Sequence, residues 1–215
     1  IGYRQGPKFA SNGGVTNYEW GETGGNQQVS VLHRFSYKPG DTRKDATIGW
    51  WEYTYDGTPK IIGASNLSMY NNKWSKLWNK TKAFNNTTAS NTGINYPYLR
   101  YADVLLMWAE ADVKLTNNVS DEAKECVQKV RNRAYIGSGK AAPAVAGASP
   151  EAFLKEILDE RKWEFAGENS RWKDLVRNNK YAETLFYTFL RYYSVAENAS
   201  ASAQYMDMVE EHDGI

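Results

Sequence analysis

The chain has 215 residues, a formal net charge of +1 and 24% charged side chains, long enough for one large domain or two small ones. So even a balance, without a basic stripe, argues against a nucleic-acid or polyphosphate partner. One cysteine, Cys126, excludes an internal disulfide framework and multi-thiolate zinc sites, and two distant histidines, His33 and His212, give little basis for a metal site or a Ser-His-Asp triad. No metal or cofactor is expected. Aromatic residues are abundant at 14%, with 8 Trp and 15 Tyr, and Tyr and Trp serve well on wet binding surfaces because each keeps a polar handle. No apolar run approaches the roughly 18 residues of a membrane span. The opening Ile1-Gly2-Tyr3 has neither Met nor a leader pattern, as expected of a mature or trimmed piece.

Composition changes near Tyr96. Residues 1–98 hold 12 of the 17 Gly and five of the eight Trp, which predicts loops and short strands. Val29 to Tyr37 alternates and predicts a strand with Val29, Val31, His33, Phe35 and Tyr37 on one face. Here His33 reads as partly buried and hydrogen-bonded rather than as a ligand. Ile48 to Tyr55 predicts a second strand, closed by the turn-forming pair Asp56-Gly57. Trp51, Tyr53 and Tyr55 would share a face, with rings about 7 Å apart along the strand. That face either packs inside or offers a ring to solvent.

From Leu99 the pattern becomes helical. Leu99 to Val113 is apolar around most of its circumference, which predicts a helix buried on several sides. Pro97 suits its start and Asn117-Asn118 its end. Ser120 is placed to cap a second helix, with Asp121 and Glu122 in its first turn and Arg131 and Arg133 in its last. Cys126 falls on that helix's apolar stripe with Ala123, Val127, Val130 and Ala134, and reads as an inert packed thiol. After a small-residue linker from Gly137 to Ala148, Ser149-Pro150 opens a third helix whose apolar face is Phe153, Leu154, Ile157, Leu158 and Phe165, ended by Gly167. A short fourth helix spans Arg171 to Arg177. Antiparallel pairing of these helices is expected, although no 34-residue repeat is visible. Trp108, Trp163 and Trp172 are expected in the core.

Glu160, Arg161, Glu164, Glu168, Arg171, Asp174 and Arg177 crowd into 18 residues. Paired carboxylates can act as general acid and base in glycoside hydrolysis. Arginines in nearly matching number would instead pair with them and depress their pKa values, which does not suit a general acid. The structural reading, pairing between the third and fourth helices, is favoured.

Three stretches, YPYLRYADVLLMWAEA (Tyr96 to Ala111), VQKVRNRA (Val127 to Ala134) and ILDERKWEFAGENSRWKDLVR (Ile157 to Arg177), together resemble the C-terminal half of the SusD/RagB family in order and spacing. Asp41-Thr42-Arg43 is similar to a weaker family motif. Asn169 stands where the family usually has Gly, and Asn tolerates the left-handed backbone that such a turn needs. The resemblance implies a mainly α fold of antiparallel, tetratricopeptide-like helices with a loop-rich region containing short β-hairpins. Residues 1–95 would be the loop-rich, aromatic part, 96–178 the helical core and 179–215 a C-terminal helical or loop segment, with the family's N-terminal helical half and its lipid-bearing cysteine lying outside this sequence. It further implies a non-enzymatic, lipid-anchored protein of the outer membrane and cell surface in a Bacteroidetes-type bacterium. Such a protein binds an oligosaccharide or other nutrient beside a TonB-dependent, SusC-like transporter. The family motifs name no ligand contacts. Stacking chemistry selects Trp50, Trp51, Tyr53, Tyr55, Trp74 and Trp78 as candidate platforms, with Trp51, Tyr53 and Trp74 foremost, while Trp74 and Trp78, four apart, could equally form one apolar helix face. The rival readings are a scaffold that docks the transporter without a ligand site, and a glycan-processing enzyme.

Overall fold

A computed structural model describes residues 5–8, 23–54, 58–62, 68–78 and 94–198. The chain divides into two units. Ile1–Ser36, Asp45–Tyr96 and Leu185–Ile215 belong to the first, Tyr37–Lys44 and Pro97–Thr184 to the second. The fold is mainly helical, with a few short strands, as expected from the sequence.

In the first unit, β1 (Gln28–Ser30) and β2 (Ile48–Gly49) pair antiparallel with opposite edges of β5 (Ser68–Asn71). A separate hairpin joins β3 (Trp51–Tyr53) to β4 (Pro59–Ile61), in the register Trp51–Ile61, Glu52–Lys60 and Tyr53–Pro59. The Asp56-Gly57 turn itself lies outside the described residues, but the Thr54 N–H donates to the Thr58 carbonyl at 3.0 Å across its base.

Neither predicted strand runs its full length. The first ends at Ser30, and Val31–Arg34 forms a helical turn, α1. The Ser30 hydroxyl oxygen accepts the Leu32 N–H at 3.3 Å, and the His33 carbonyl accepts both the N–H and the hydroxyl of Ser36. Such local hydrogen bonds of the serine side chains compete with a strand ladder. Phe35 and Tyr37 are still buried and His33 is half-buried. The second predicted strand breaks at Trp50, so that its two pieces pair with different partners. A Cβ at Gly49 would approach Pro7, the Tyr70 carbonyl and Asn72 within 3.2–3.4 Å, so glycine permits the close packing there.

The second unit carries α3 (Tyr101–Thr116), α4 (Asp121–Ala134), α5 (Pro150–Glu164) and α6 (Arg171–Arg177), and the start of α7 (Tyr181–Asn198). The helix α2 (Arg43–Thr47) opens on Arg43. The predicted caps hold, while α3 begins at Tyr101, two residues after Leu99, and α5 ends at Glu164, three residues before Gly167. Ser120 and Ser149 accept the Ala123 and Ala152 N–H groups, Pro150 lies in the first turn of α5, and Asn117 adopts φ 49° with its N–H on the Val113 carbonyl. Asn169 has φ 57°, beside Gly167 at φ 76°, so the turn that the family makes with Gly is kept. The core is Ala102, Leu106, Ala109 and Val113 of α3, Ala123, Val127 and Val130 of α4, Phe153 and Ile157 of α5, and Phe165.

The expectation that α3 is buried on several sides is not met. Its core stripe advances by four, three and four residues from Ala102 to Val113. Tyr101, Val104, Met107 and Trp108 face away from it, Trp108 at 45% exposure. Trp172 on α6 is likewise 59% exposed, and Trp163 is half-buried. Neither Trp108 nor Trp172 is a core residue, because an apolar side chain is buried only where a neighbouring element covers its face. Cys126 packs half-buried against the core, and burial pushes its thiol pKa up. No described helix is long and apolar enough to cross a membrane.

These positions separate core from cap energetics. Leu106→Ala should lower unfolding stability by roughly 3 kcal/mol in urea titrations, from transfer and cavity terms together, and Ser120→Ala by about 1 kcal/mol. Equal losses would contradict the packing described.

Candidate functional site

The aromatic candidates lie in the first unit. Trp51 and Tyr53 occupy alternate positions of β3, share a face and are half-buried. Trp50, in the break between β2 and β3, is 39% exposed and meets Trp51 edge to face, with ring centroids 5.9 Å apart. The Trp51 indole N–H is buried and has no acceptor among the described residues. On the opposite face of β3, Glu52 pairs with Lys60 at 3.3 Å and accepts the Tyr70 hydroxyl at 3.1 Å. Burial, followed by the Glu52 charge, pushes the Tyr70 hydroxyl up to about 12.

Trp74 and Trp78 separate. Each ends a single 3-10 turn, Asn72–Trp74 and Lys76–Trp78, and Ser75 between them is extended at φ −63°, ψ 135°. Four-residue spacing therefore does not bring the two rings to one face. Trp74 points inward at 3% exposure and stacks on Tyr96 at 5.7 Å, so it has no face to offer a ligand. Trp78 points outward at 57% exposure, and its indole N–H donates to the Asn72 carbonyl at 2.7 Å. One edge is pinned while the ring stays open. Tyr55 lies outside the described residues.

The charged run lies in the second unit and draws its counter-ions mostly from elsewhere. Within the run, Asp174 pairs with Arg161 at 2.9 Å and with Arg177 at 3.1 Å. Arg161 also reaches Asp103 of α3 at 2.6 Å, and Arg177 reaches Glu110. Glu160 meets Arg43 at 2.7 Å and Arg131 at 3.0 Å. Glu164 meets Arg100 at 2.7 Å, Arg43 at 3.3 Å and Arg133. Glu168 takes a two-pronged contact from Arg100 at 2.8 and 2.9 Å. Arg43 closes a similar fork on Asp41 at 2.6 and 2.9 Å, and the Thr42 N–H and hydroxyl both donate to the Ala134 carbonyl at the end of α4. The guanidiniums of Arg100 and Arg161 lie 4.7 and 4.9 Å from the centroid of the Phe165 ring, within cation–π range. Arg171 differs from the others, since its guanidinium donates to the Leu158 carbonyl at 2.8 Å.

Residue type and spacing alone gave no account of Arg43, Arg100, Arg131 and Arg133 as partners. The signal was their place in the three motifs and the Asp-x-Arg segment. Glu160 is fully buried and Glu164 nearly so. Burial alone would raise the Glu164 pKa, but Arg100 and Arg133 outweigh it and hold the carboxyl below its ordinary value. A buried carboxylate kept ionised in this way braces the surrounding helices and is poorly suited to donate a proton. Among the described residues no group of three or more His, Cys, Asp or Glu is arranged to hold a metal ion.

Known proteins share this architecture. The SusD family profile matches residues 7–213. Among curated relatives, SusD-like protein P25 of Formosa agariphila is 37% identical over 102 residues, which are 47% of this chain and 18% of that protein. SusD-like protein P2 of the same organism is 40% identical over 97 residues, 44% of this chain and 19% of the relative. A crystal structure of a SusD homolog from Bacteroides thetaiotaomicron superposes with a TM-score of 0.74 at 26% identity, over 87% of this chain and 39% of that one. The chain belongs to the SusD family. It spans about two fifths of that solved relative, and its matches cover less than a fifth of each of these two curated relatives.

A depressed carboxyl pKa in the folded state stabilises the protein above the unfolded value, and this contribution is lost as pH falls through the folded value. Thermal stability should therefore drop as pH is lowered below roughly 4.3, with a shallower fall in Glu164→Gln. Glu164→Ala, which strips a shared counter-ion from Arg43, Arg100 and Arg133, should cost roughly 3–5 kcal/mol at pH 7. Calorimetry across pH checks both. An unchanged profile in Glu164→Gln would remove Glu164 from the titrating set.

Proposed function

We propose that the chain is the part of a SusD-like cell-surface protein that holds an oligosaccharide or similar nutrient on exposed tryptophans, with no chemistry performed on it. Trp78 carries this reading, because its indole N–H is fixed by a backbone carbonyl while most of the ring faces solvent. A pinned ring loses little freedom on binding, and a sugar's apolar face stacks on it while the sugar hydroxyls stay wet. Trp50, exposed beside Trp51, supplies a second platform; Trp51 and Tyr53 form the half-buried backing, and Trp74 is excluded by its burial. Among the described residues of the first unit, both exposed tryptophans border the β2–β5 pair: Trp50 follows Gly49, and Trp78 is tied to Asn72, one residue past the Ile48–Asn71 pairing.

Covering about 60 Å² of apolar sugar face at ~25 cal/mol per Å² contributes about 1.5 kcal/mol per ring. Two rings reach about 3 kcal/mol, a dissociation constant of several millimolar before edge hydrogen bonds add to it. Weak capture of this kind suits a receptor that hands its ligand on. Family membership supports the wider setting, a lipid-anchored outer-membrane protein acting beside a TonB-dependent, SusC-like transporter. Leu185, Phe186, Tyr187, Phe189 and Leu190 of α7 are all exposed, which favours a second reading, a docking role for this portion without its own ligand site.

Titrating neutral oligosaccharides while following tryptophan fluorescence distinguishes these readings. Saturable quenching without release of reducing sugar is expected, with Trp50→Ala and Trp78→Ala each weakening binding about tenfold. An unchanged affinity in the double variant would sink the platform assignment. No quenching in a chain that still binds the transporter would leave the docking role, and released reducing sugar would make the protein an enzyme.

A further inference from the structure

Around Asp159 the charges do not balance as they do in the rest of the helical unit. Asp159 pairs with Lys155 at 2.9 Å and with Lys162 at 3.5 Å. Arg171, which donates to the carbonyl of Leu158, the residue before Asp159, adds a third positive charge near this carboxylate. Asp159 and Asp174 are the carboxylates whose charges favour its ionised form, and Asp174 is already paired with Arg161 and Arg177. The other arginines of the family motifs, Arg100, Arg131, Arg133, Arg161 and Arg177, each pair with at least one carboxylate. Among the described residues Arg171 pairs with none. One of its N–H groups goes to the Leu158 carbonyl, and its Nε and Nη2 donors have no acceptor among the described residues. Lys162 lies 4.6 Å from the Trp163 ring centroid. The Ser170 hydroxyl, one residue before Arg171, is buried and has no hydrogen-bond partner among the described residues. Burial lowers the pKa of both Lys162 and Arg171; the Asp159 charge opposes this in each, while repulsion from Arg171 and Lys155 adds to it at Lys162 and repulsion from Arg161 adds to it at Arg171.

We propose that Arg171, Lys162 and Lys155 form an oxyanion site that takes a carboxylate or sulfate group, either on an acidic saccharide or as a free ion. The guanidinium's open edge offers two parallel N–H donors, the geometry that carboxylate and sulfate oxygens accept, and the two ammonium groups add charge. Lys155 is exposed, so the group can enter from solvent. The site lies in the helical unit and stands independently of the tryptophan platforms.

The test is thermal unfolding of the 215-residue chain with sodium sulfate against sodium chloride at equal ionic strength, and with sodium glucuronate against glucose. Sulfate or glucuronate should raise Tm saturably, by about 3–6 °C at ten times the dissociation constant. Arg171→Gln should abolish the saturable part and Lys162→Gln should weaken it at least tenfold. Lys129→Gln, which removes a surface partner of Glu125, should leave it unchanged. Tighter binding of glucuronate than sulfate, with glucose silent, assigns an acidic sugar; sulfate alone assigns a free oxyanion. Should Arg171→Gln fail to fold, Lys162→Gln decides, read also by the saturable fluorescence change of Trp163. A shift that neither anion produces, or one of equal size in Lys162→Gln, overturns the site.

Discussion

Two glutamates without access to water, Glu160 and Glu164, set the terms for the helical unit. A buried carboxylate costs several kcal/mol unless counter-charges and hydrogen bonds surround it. Here the counter-charges come from three separate places in the chain: Arg43 at the start of α2, Arg100 before α3, and Arg131 and Arg133 at the end of α4. No single helix could neutralise these acids. The requirement for charge balance therefore fixes where Asp41-Thr42-Arg43, the entry to α3, the end of α4 and the length of α5 stand relative to one another. Thr42 adds to this by taking the Ala134 carbonyl at the end of α4, where a helix leaves its last acceptors unsatisfied.

The lattice also explains the spacing of the family motifs. Glu160 and Glu164 are one turn apart on α5, so they face the same side and can share Arg43. Glu168 follows the left-handed backbone at Gly167, which brings it back toward Arg100. Phe165 sits within reach of two guanidiniums and also joins the apolar core, so the charged and apolar parts of the unit meet at one ring. Motif conservation of this kind would describe a scaffold. On the function and the oxyanion site proposed above, recognition would fall to residues outside the lattice, the outward tryptophans of the first unit and the cations around Asp159.

Helix positions, caps and stops were legible in the sequence because they depend on local chemistry. Ser120, Ser149, Asn117 and Asn169 each act within a few residues of their own backbone. The core stripes of α4 and α5 were legible for a similar reason, since Val127, Val130, Phe153 and Ile157 recur at the helical period. The strands were less so. Ser30 and Ser36 diverted the first strand into a helical turn, and the second was divided between two partners that periodicity cannot see. The aromatic candidates divide in the same way: residue type selected Trp50, Trp74 and Trp78 with Trp74 foremost among them, yet an extended Ser75 sent Trp74 inward and Trp78 outward.

From the sequence alone came the mainly helical class, the resemblance to the SusD family and the expectation that the acids after Ile157 are matched by arginine. All of these follow from composition, short-range spacing and motif order. The tertiary structure alone decided which arginine meets which acid, which tryptophans keep an open face, and that Arg171 pairs with no carboxylate among the described residues. Each of these depends on what segments distant in sequence place around a side chain, and local pattern carries no record of such neighbours.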